Sequence, residues 1–482
     1  MEKINGVHIY INVANLDEII KGEEEANDEV KRGIHRLHTY FAGLSDVVNH
    51  FGGEIEKFSG GRAHIYLAFD DNDEEFWPIV VKTLVAGFRF CYEVFNNLGK
   101  YSQYSGFSVQ AGADFGDFYT YDITNLDEFT TIGGVANIAA KITSFAAKRD
   151  VLVTEDFYKN LPAETKEAFE QLEEEDLKEI QEKLKGNPLI YRGAYSELLE
   201  DQQEIDDLLE STRQHCEEIA NGLNLKDMQF EDARTKIDFS KLNRNKNKHI
   251  TAGLLFADLR GFTKLFNVSG SNLDDLAEVL ATVYSGFEEV VTNHGGVRVQ
   301  FQGDRIVAVF NTYTTETEPA LIRMFEAALK IKDEIKEISD SYSEKLGGKQ
   351  LKVGMGLCWG DYYATRLGIK KNKDNLVLGS TVIKGDTAED KYAENNEVAV
   401  TKEYKESVSA ESNNYVKCKA IEEFLHAIST TGYYKTAISY DDYTQKVESI
   451  KSQAEKIAAA ALKATTVSAP FRKESSIRPW KS

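Results

Sequence analysis

The sequence predicts an α+β fold in which one βαββαβ-like unit, a sheet with helices on one face, occurs twice in tandem. Three observations predict it. The chain has 482 residues, too many for one ordinary core. Short apolar runs alternate with amphipathic helical stretches along its length. The second half also repeats the plan of the first. FEEVVTNHGGVRVQFQGDRIVAVF answers to LSDVVNHFGGEIEKFSGGRAHIYLAF, LKVGMGLCWGDYYAT to FSVQAGADFGDFYTY, and VLGSTVIKGDTAEDKYA to TIGGVANIAAKITSFA. The offset is roughly 245 residues, far beyond solenoid periods, so the chain carries a duplicated domain.

In chain order, GVHIYINV reads as a strand, followed by a helix with His35, Leu37, Tyr40, Phe41, Leu44 and Val48 on one face, ended by Gly52-Gly53. EIEKFSGGRAHIYLAF is a hairpin. A helix over about 78–98 shows an apolar face of Val81, Leu84, Val85, Phe88 and Val94. FSVQAGADFGDFYTY is a strand pair, FTTIGGVANIAAKITSFAA a turn and helix, and VLVTEDFYKNL closes the unit. Residues 196–247 carry a stripe of Leu198, Leu199, Ile205, Leu208 and Leu209, which predicts a helical connector. In the second half the apolar run Ala252 to Ala257 stops at Asp258, a helix covers about 273–291, and a strand pair turns at Gln302-Gly303-Asp304-Arg305. After Tyr443 a last helix precedes the tail VSAPFRKESSIRPWKS, in which Phe471 and Trp480 are candidates to dock on the body or on a second copy. The expected division is 1–195, 196–248, 249–440 and 441–482.

The net charge of −22 argues against nucleic acid or an anionic membrane as main partner, since the summed field repels polyanions. Cys91, Cys216, Cys358 and Cys418 lie far apart, with no zinc spacing and no disulfide framework. The N-terminus lacks the order of a signal peptide, and no uncharged apolar run approaches a membrane span. These features predict a cytoplasmic protein.

Asp258 and Asp304 sit at the ends of neighbouring buried strands, where two carboxylates are expensive unless something positive lies between them. A pair of divalent cations is the cheapest explanation. FADLRGFT and GGVRVQFQGDRIVAVF, in this order and joined by a helix, resemble the two metal-binding segments of class III nucleotide cyclases. The resemblance implies two ferredoxin-like cyclase domains forming an intramolecular pseudo-dimer, as a monomer or a homodimer. It also implies two Mg2+ or Mn2+ ions held by Asp258, Asp304 and the Leu259 carbonyl, with the amides of Gly261, Phe262 and Thr263 receiving phosphate oxygens. Arg305 is a further candidate for a phosphate.

Asn12 and Gly61 stand in the first half where the second has Asp258 and Asp304, so the first half is expected to bind no catalytic metal. The family's polar clamp shows the reverse loss: Asn137 and Lys141 are present in the first half, whereas the second has Ile383 and Thr387. Positions i and i+4 share a helix face, so Asn137 and Lys141 are placed to act on one substrate. Lys141 departs from the family's arginine and offers a point charge without the two-pronged fork. One composite site and one dead site follow.

In the same resemblance Lys57 and Thr130 read the base, with Glu56 as an alternative partner for Lys57. The pair suits ATP, and hydrogen-bond logic admits UTP equally. VRVQFQGDR is similar to the bacterial Pycsar pyrimidine cyclases, chiefly uridylate cyclases, whose cUMP or cCMP is an antiphage signal read by a separate effector. The expected reaction is therefore NTP to 3′,5′-cyclic nucleotide and pyrophosphate, with UTP favoured and ATP the alternative. A nucleotide-sensing module without turnover and a palm-type polymerase are the competing readings.

Overall fold

The computed structural model describes the chain except residues 1, 26–29, 70–73, 124–125, 127, 185–187, 199–202, 223, 263–264, 266–271, 370–371 and 468–482. Leu199, Thr263, Phe471 and Trp480 therefore lie outside the described residues.

The first half contains β1 (Glu2–Val13), β2 (Glu54–Ser59), β3 (Arg62–Ala68), β4 (Val109–Ile123), β5 (Glu128–Ile132), β6 (Asp150–Thr154), β7 (Phe169–Gln171) and β8 (Ile190–Ala194). Its sheet runs β2-β3-β1-β4-β6-β8-β7, with β5 paired to β4. After β9 (Gln229–Asp232), the second half contains β10 (Lys246–Leu259), β11 (Val297–Gln302), β12 (Arg305–Asn311), β13 (Val353–Ile369), β14 (Asn372–Leu378), β15 (Val398–Thr401), β16 (His426–Ile428) and β17 (Tyr433–Thr436). Its order is β11-β12-β10-β13-β15-β17-β16, with β14 on β13 and β9 on β10. The first five strands of each path correspond one to one. This is the duplication read from sequence.

Alternation along β1 sends Ile9 and Ile11 into a core shared with Leu37, Tyr40, Phe41 and Leu44 of the helix Lys31–His50. That helix ends where Gly52 takes φ 72°, and the Gly53 N–H returns to the Val48 carbonyl at 3.0 Å. The second half ends its helix Leu273–Asn293 the same way, with Gly295 at φ 73° and Gly296 N–H on the Val291 carbonyl at 2.8 Å.

The other face of the first sheet carries His8 and Tyr10, opposite Tyr66 and His64 on β3. His8 is fully buried against the edge of Phe118, and neither of its ring nitrogens has a hydrogen-bond partner among the described residues. The expectation of helices on one face alone needs correction here, because the helix Gly134–Thr143 packs on this second face. Gly112, across from Tyr10, makes that approach possible: a Cβ there would stand 2.6 Å from the Ala139 carbonyl oxygen. Gly356, across from Phe256, does the same for the helix Val382–Thr387, its absent Cβ falling 2.3 Å from the Gly385 oxygen.

The halves hold each other by exchanging arms. The β4–β5 arm places Tyr119, Ile123 and Ile132 in the second core, and the β13–β14 arm places Leu367, Leu376 and Leu378 in the first. Polar contacts seal the seam: Gln300 Nε2 donates to the Phe58 carbonyl at 2.7 Å, and the Phe58 N–H to Asp374 Oδ2 at 2.9 Å. The helix Gln203–Asn221 buries Ile205, Leu208, Leu209 and Cys216 in the first core. The segment after it places Ile237, Phe239 and Leu242 on the second sheet beside Leu254 and Phe256.

Candidate active site

Asp258 closes β10, and Asp304 occupies the β11–β12 turn, where Gly303 takes φ 64°. The two segments are tied by the Leu259 N–H on the Asp304 carbonyl at 3.3 Å. Tyr284 supports the turn from below, donating its hydroxyl to the Gly303 carbonyl and stacking on Phe301 at a centroid distance of 3.8 Å. In the first half the Val13 N–H meets the Gly61 carbonyl at 3.0 Å, the same tie without either carboxylate.

The side chain of Asp258 is 25 % exposed, yet desolvation and then the charge of Asp304 push its carboxyl upward. Arg260, Arg305 and Lys141 pull it back. Lys141 lies on the helix Gly134–Thr143, four residues after Asn137. Burial holds its ammonium below the usual lysine range, and the charges it senses most strongly in opposition are Asp258 and Asp304. A first-half lysine thus shares one electrostatic environment with both second-half carboxylates. At the pseudo-symmetric position Thr387 turns its hydroxyl back to the Ile383 carbonyl at 2.8 Å, and Ile383 is exposed.

Around Asp258, sequence singled out Arg305 but not Arg260 or the acids Asp386 and Glu389. Arg260 Nη1 lies 3.0 Å from Asp258 Oδ2, and its Nη2 reaches Glu389 Oε1 at 2.5 Å and the Glu389 and Ala393 carbonyls at 2.6 and 2.8 Å. Arg305 stacks over Phe256 at 4.8 Å and pairs with Asp386 at 2.5 Å and Glu389 at 3.4 Å. In this arrangement Arg305 is engaged by both acids and also acts on the charge of Asp258. Glu389 joins the arginines of both carboxylate segments. The available signal was an arginine inside FADLRGFT facing a glycine: a Cβ on Gly354 would stand 2.1 Å from Arg260 Nη2. Gly354→Ala is therefore expected to displace Arg260 and cost about 1–2 kcal/mol, measured as a lowered urea midpoint at unchanged slope.

Lys57 is nearly fully buried, and its three N–H bonds are directed at Glu128 Oε1 (3.0 Å), the Phe301 carbonyl (2.9 Å) and Glu56 Oε1 (3.4 Å). Burial alone would depress this ammonium, but Glu128 and Glu56 outweigh it and hold it above the usual range. Thr130 donates to Glu56 at 3.3 Å, and Thr131 to the same carboxylate at 2.6 Å. Glu128 also takes Arg298 from the second half at 2.6 Å. Lys57 and Thr130 are therefore brought together through Glu56, with Glu128 as the partner sequence reasoning did not name. Phe262 is buried and Gly261 exposed with φ 78°.

Among the described residues no group of three or more His, Cys, Asp or Glu side chains is placed to hold a metal ion. A cation at this site relies on Asp258, Asp304 and the Leu259 carbonyl. These are hard oxygen donors, the type that magnesium and manganese take. The residues fit such ions.

Residues 245–433 match the model of the adenylate and guanylate cyclase catalytic domain. This segment has the class III cyclase fold. It includes both carboxylate segments of the site. Among curated relatives, adenylate cyclase 1 of Rhizobium meliloti (strain 1021) is 24% identical over 170 residues, 35% of this chain and 24% of that protein. The chain thus spans about a quarter of that relative's length. The uridylate cyclase of Gulbenkiania mobilis is 24% identical over 204 residues, 41% of this chain and 79% of that protein. A solved class III adenylyl cyclase-like ATP-binding protein from Pseudomonas aeruginosa superposes with a TM-score of 0.70 and 21% identity, covering 92% of this chain and 90% of that one. The fold likeness therefore extends beyond the cyclase domain to the tandem arrangement of both halves. No described helix is long and apolar enough to cross a membrane.

Proposed function

We propose that the protein is a nucleotide cyclase with one composite active site, converting an NTP to its 3′,5′-cyclic monophosphate and pyrophosphate. The observation that carries this reading is the position of Lys141 from the first half within the field of Asp258 and Asp304 from the second. Asp258, Asp304 and the Leu259 carbonyl would hold two divalent ions. Bound there, such ions supply Lewis acidity to the 3′-hydroxyl and charge neutralisation to the phosphates. Asn137 orients the ribose, and Lys141 neutralises charge as the 3′-oxygen bonds to the α-phosphorus and the bond to pyrophosphate breaks. The partner site, with Asn12, Gly61, Ile383 and Thr387, is inert.

UTP is the favoured substrate, supported by the match over most of a uridylate cyclase's length. The product, cUMP, then acts as an antiphage messenger for a separate effector in the cytoplasm. ATP is the alternative. Purified protein given ATP, GTP, CTP and UTP with Mn2+ is expected to form one cyclic mononucleotide, cUMP, identified by mass spectrometry. Lys141→Ala is expected to lower that rate about thirtyfold, the loss of one charged contact of roughly 2 kcal/mol, whereas Thr387→Ala leaves it unchanged. Equal losses in the two variants would remove the composite site.

A second reading, nucleotide binding without turnover, draws on the ATP-binding fold relative and on Arg260, which stands against Asp258 as an internal counter-ion. Calorimetric NTP binding with no product over hours would favour it.

A further inference from the structure

Between the halves lies a cavity of about 500 Å³, within the range of small-molecule sites. β11, β14, the segment 236–240 and the first-half residues Lys57 and Glu128 form its walls. Asp258, Asp304, Asn137 and Lys141 do not line it. It is separate from the carboxylate pair, but Lys57 is common to it and to the Glu56–Thr130 network.

The charges around this cavity are unevenly satisfied. Of its acids, Glu128 is taken by Lys57 and Arg298, Glu288 by Arg298 at 2.7 Å, and Asp238 by Lys241 at 2.8 Å. Asp374 accepts the Phe58 N–H, and burial pushes its carboxyl up to about 7. Three lining cations, Lys236, Arg366 and Lys373, have no carboxylate at ion-pair distance among the described residues. Lys236 is half-buried and held below the usual lysine range by desolvation and by Arg323, against the opposing charge of Glu288. In a chain of net charge −22, three cations without an ion-pair partner among the described residues thus line one hollow, where an anion would meet a local field opposite to that of the whole chain.

We propose that this cavity is a second site, for a small phosphate-bearing anion of up to mononucleotide size, held by Lys236, Arg366 and Lys373. Phosphate suits these groups because Arg366 offers a fork and the two lysines point charges. The occupant bears on Lys57 and thereby on the base-side network of the catalytic cleft. The proposal stands whether or not the cleft turns over nucleotide.

The test is isothermal titration of the full-length chain with inorganic pyrophosphate, in EDTA at physiological salt, so that no divalent ion supports the cleft. Saturable 1:1 binding is expected, unchanged within twofold in the cleft variant Lys141→Ala/Asp304→Asn, and weakened at least tenfold in Lys236→Ala/Lys373→Ala. Lys373→Ala alone, at an exposed position, provides the same reading if the double variant folds poorly. UMP and AMP titrated in parallel reveal whether a nucleoside adds affinity. Absence of saturable binding, equal binding by the cavity variants, or loss only in the cleft variant would each overturn the assignment.

Discussion

If the proposed function holds, Asp304→Asn is expected to lower cyclic nucleotide formation about a thousandfold or more while leaving the protein folded, since removing one anionic ligand would disable both roles of the proposed two-metal site. The amide matches the carboxylate in shape, so the β11–β12 turn and its Tyr284 support persist. One electrostatic cost is also relieved. Asp304 is the largest charge acting against ionisation of Asp258, and neutralising it relieves that repulsion. The measurement pairs product mass spectrometry with a thermal melt on the same preparation. Undiminished product formation would remove Asp304 from the metal site, and a collapsed melt would make the loss uninformative about chemistry. Asp258→Asn then serves as the independent ligand variant.

Lowering pH is expected to destabilise the fold through His8. Burial without a partner pushes its imidazole down to about 3, and His64 is likewise held well below its usual value by burial. Above pH 6.5 the ring is neutral in folded and unfolded chains, so it contributes no pH dependence. Below 6.5 the unfolded chain binds a proton that the folded one refuses, and stability falls until the pH nears 3. By pH 4.5 His8 alone accounts for roughly 2.5 kcal/mol. His8→Phe retains an aromatic ring against Phe118 and removes the titration. Urea midpoints at pH 7 and pH 4.5 are expected to separate by less in His8→Phe than in the parent, the carboxylates contributing equally to both. Parallel losses would mean that His8 accepts its proton inside the fold.

What was legible in the sequence was periodic or local. The duplication, the strand that ends at Asp258 and the turn at Asp304 each depend on a few neighbouring residues. The spacing of Asn137 and Lys141 on one helix face was legible for the same reason. What was illegible depended on faces and long-range approach. Gly112 and Gly356 read as strand glycines, and only the packed helices reveal that they admit a second layer. Tyr119 and Ile132 look like core positions of their own half, because hydropathy does not say whose core. The same limit hid the buried acids. Glu389 and Glu128 sit in polar stretches that resemble solvated surface, and only the folded chain brings Arg260, Arg305, Lys57 and Arg298 to them.

The exchanged arms also set a timetable for synthesis. Among the described residues of the first core, Leu367, Leu376 and Leu378 are the last to be synthesised. At ordinary elongation rates the ribosome needs roughly ten to thirty seconds to travel from the connector helix to those leucines. For that interval the nascent first lobe exposes an apolar socket, and it closes only when its sibling arrives on the same polypeptide.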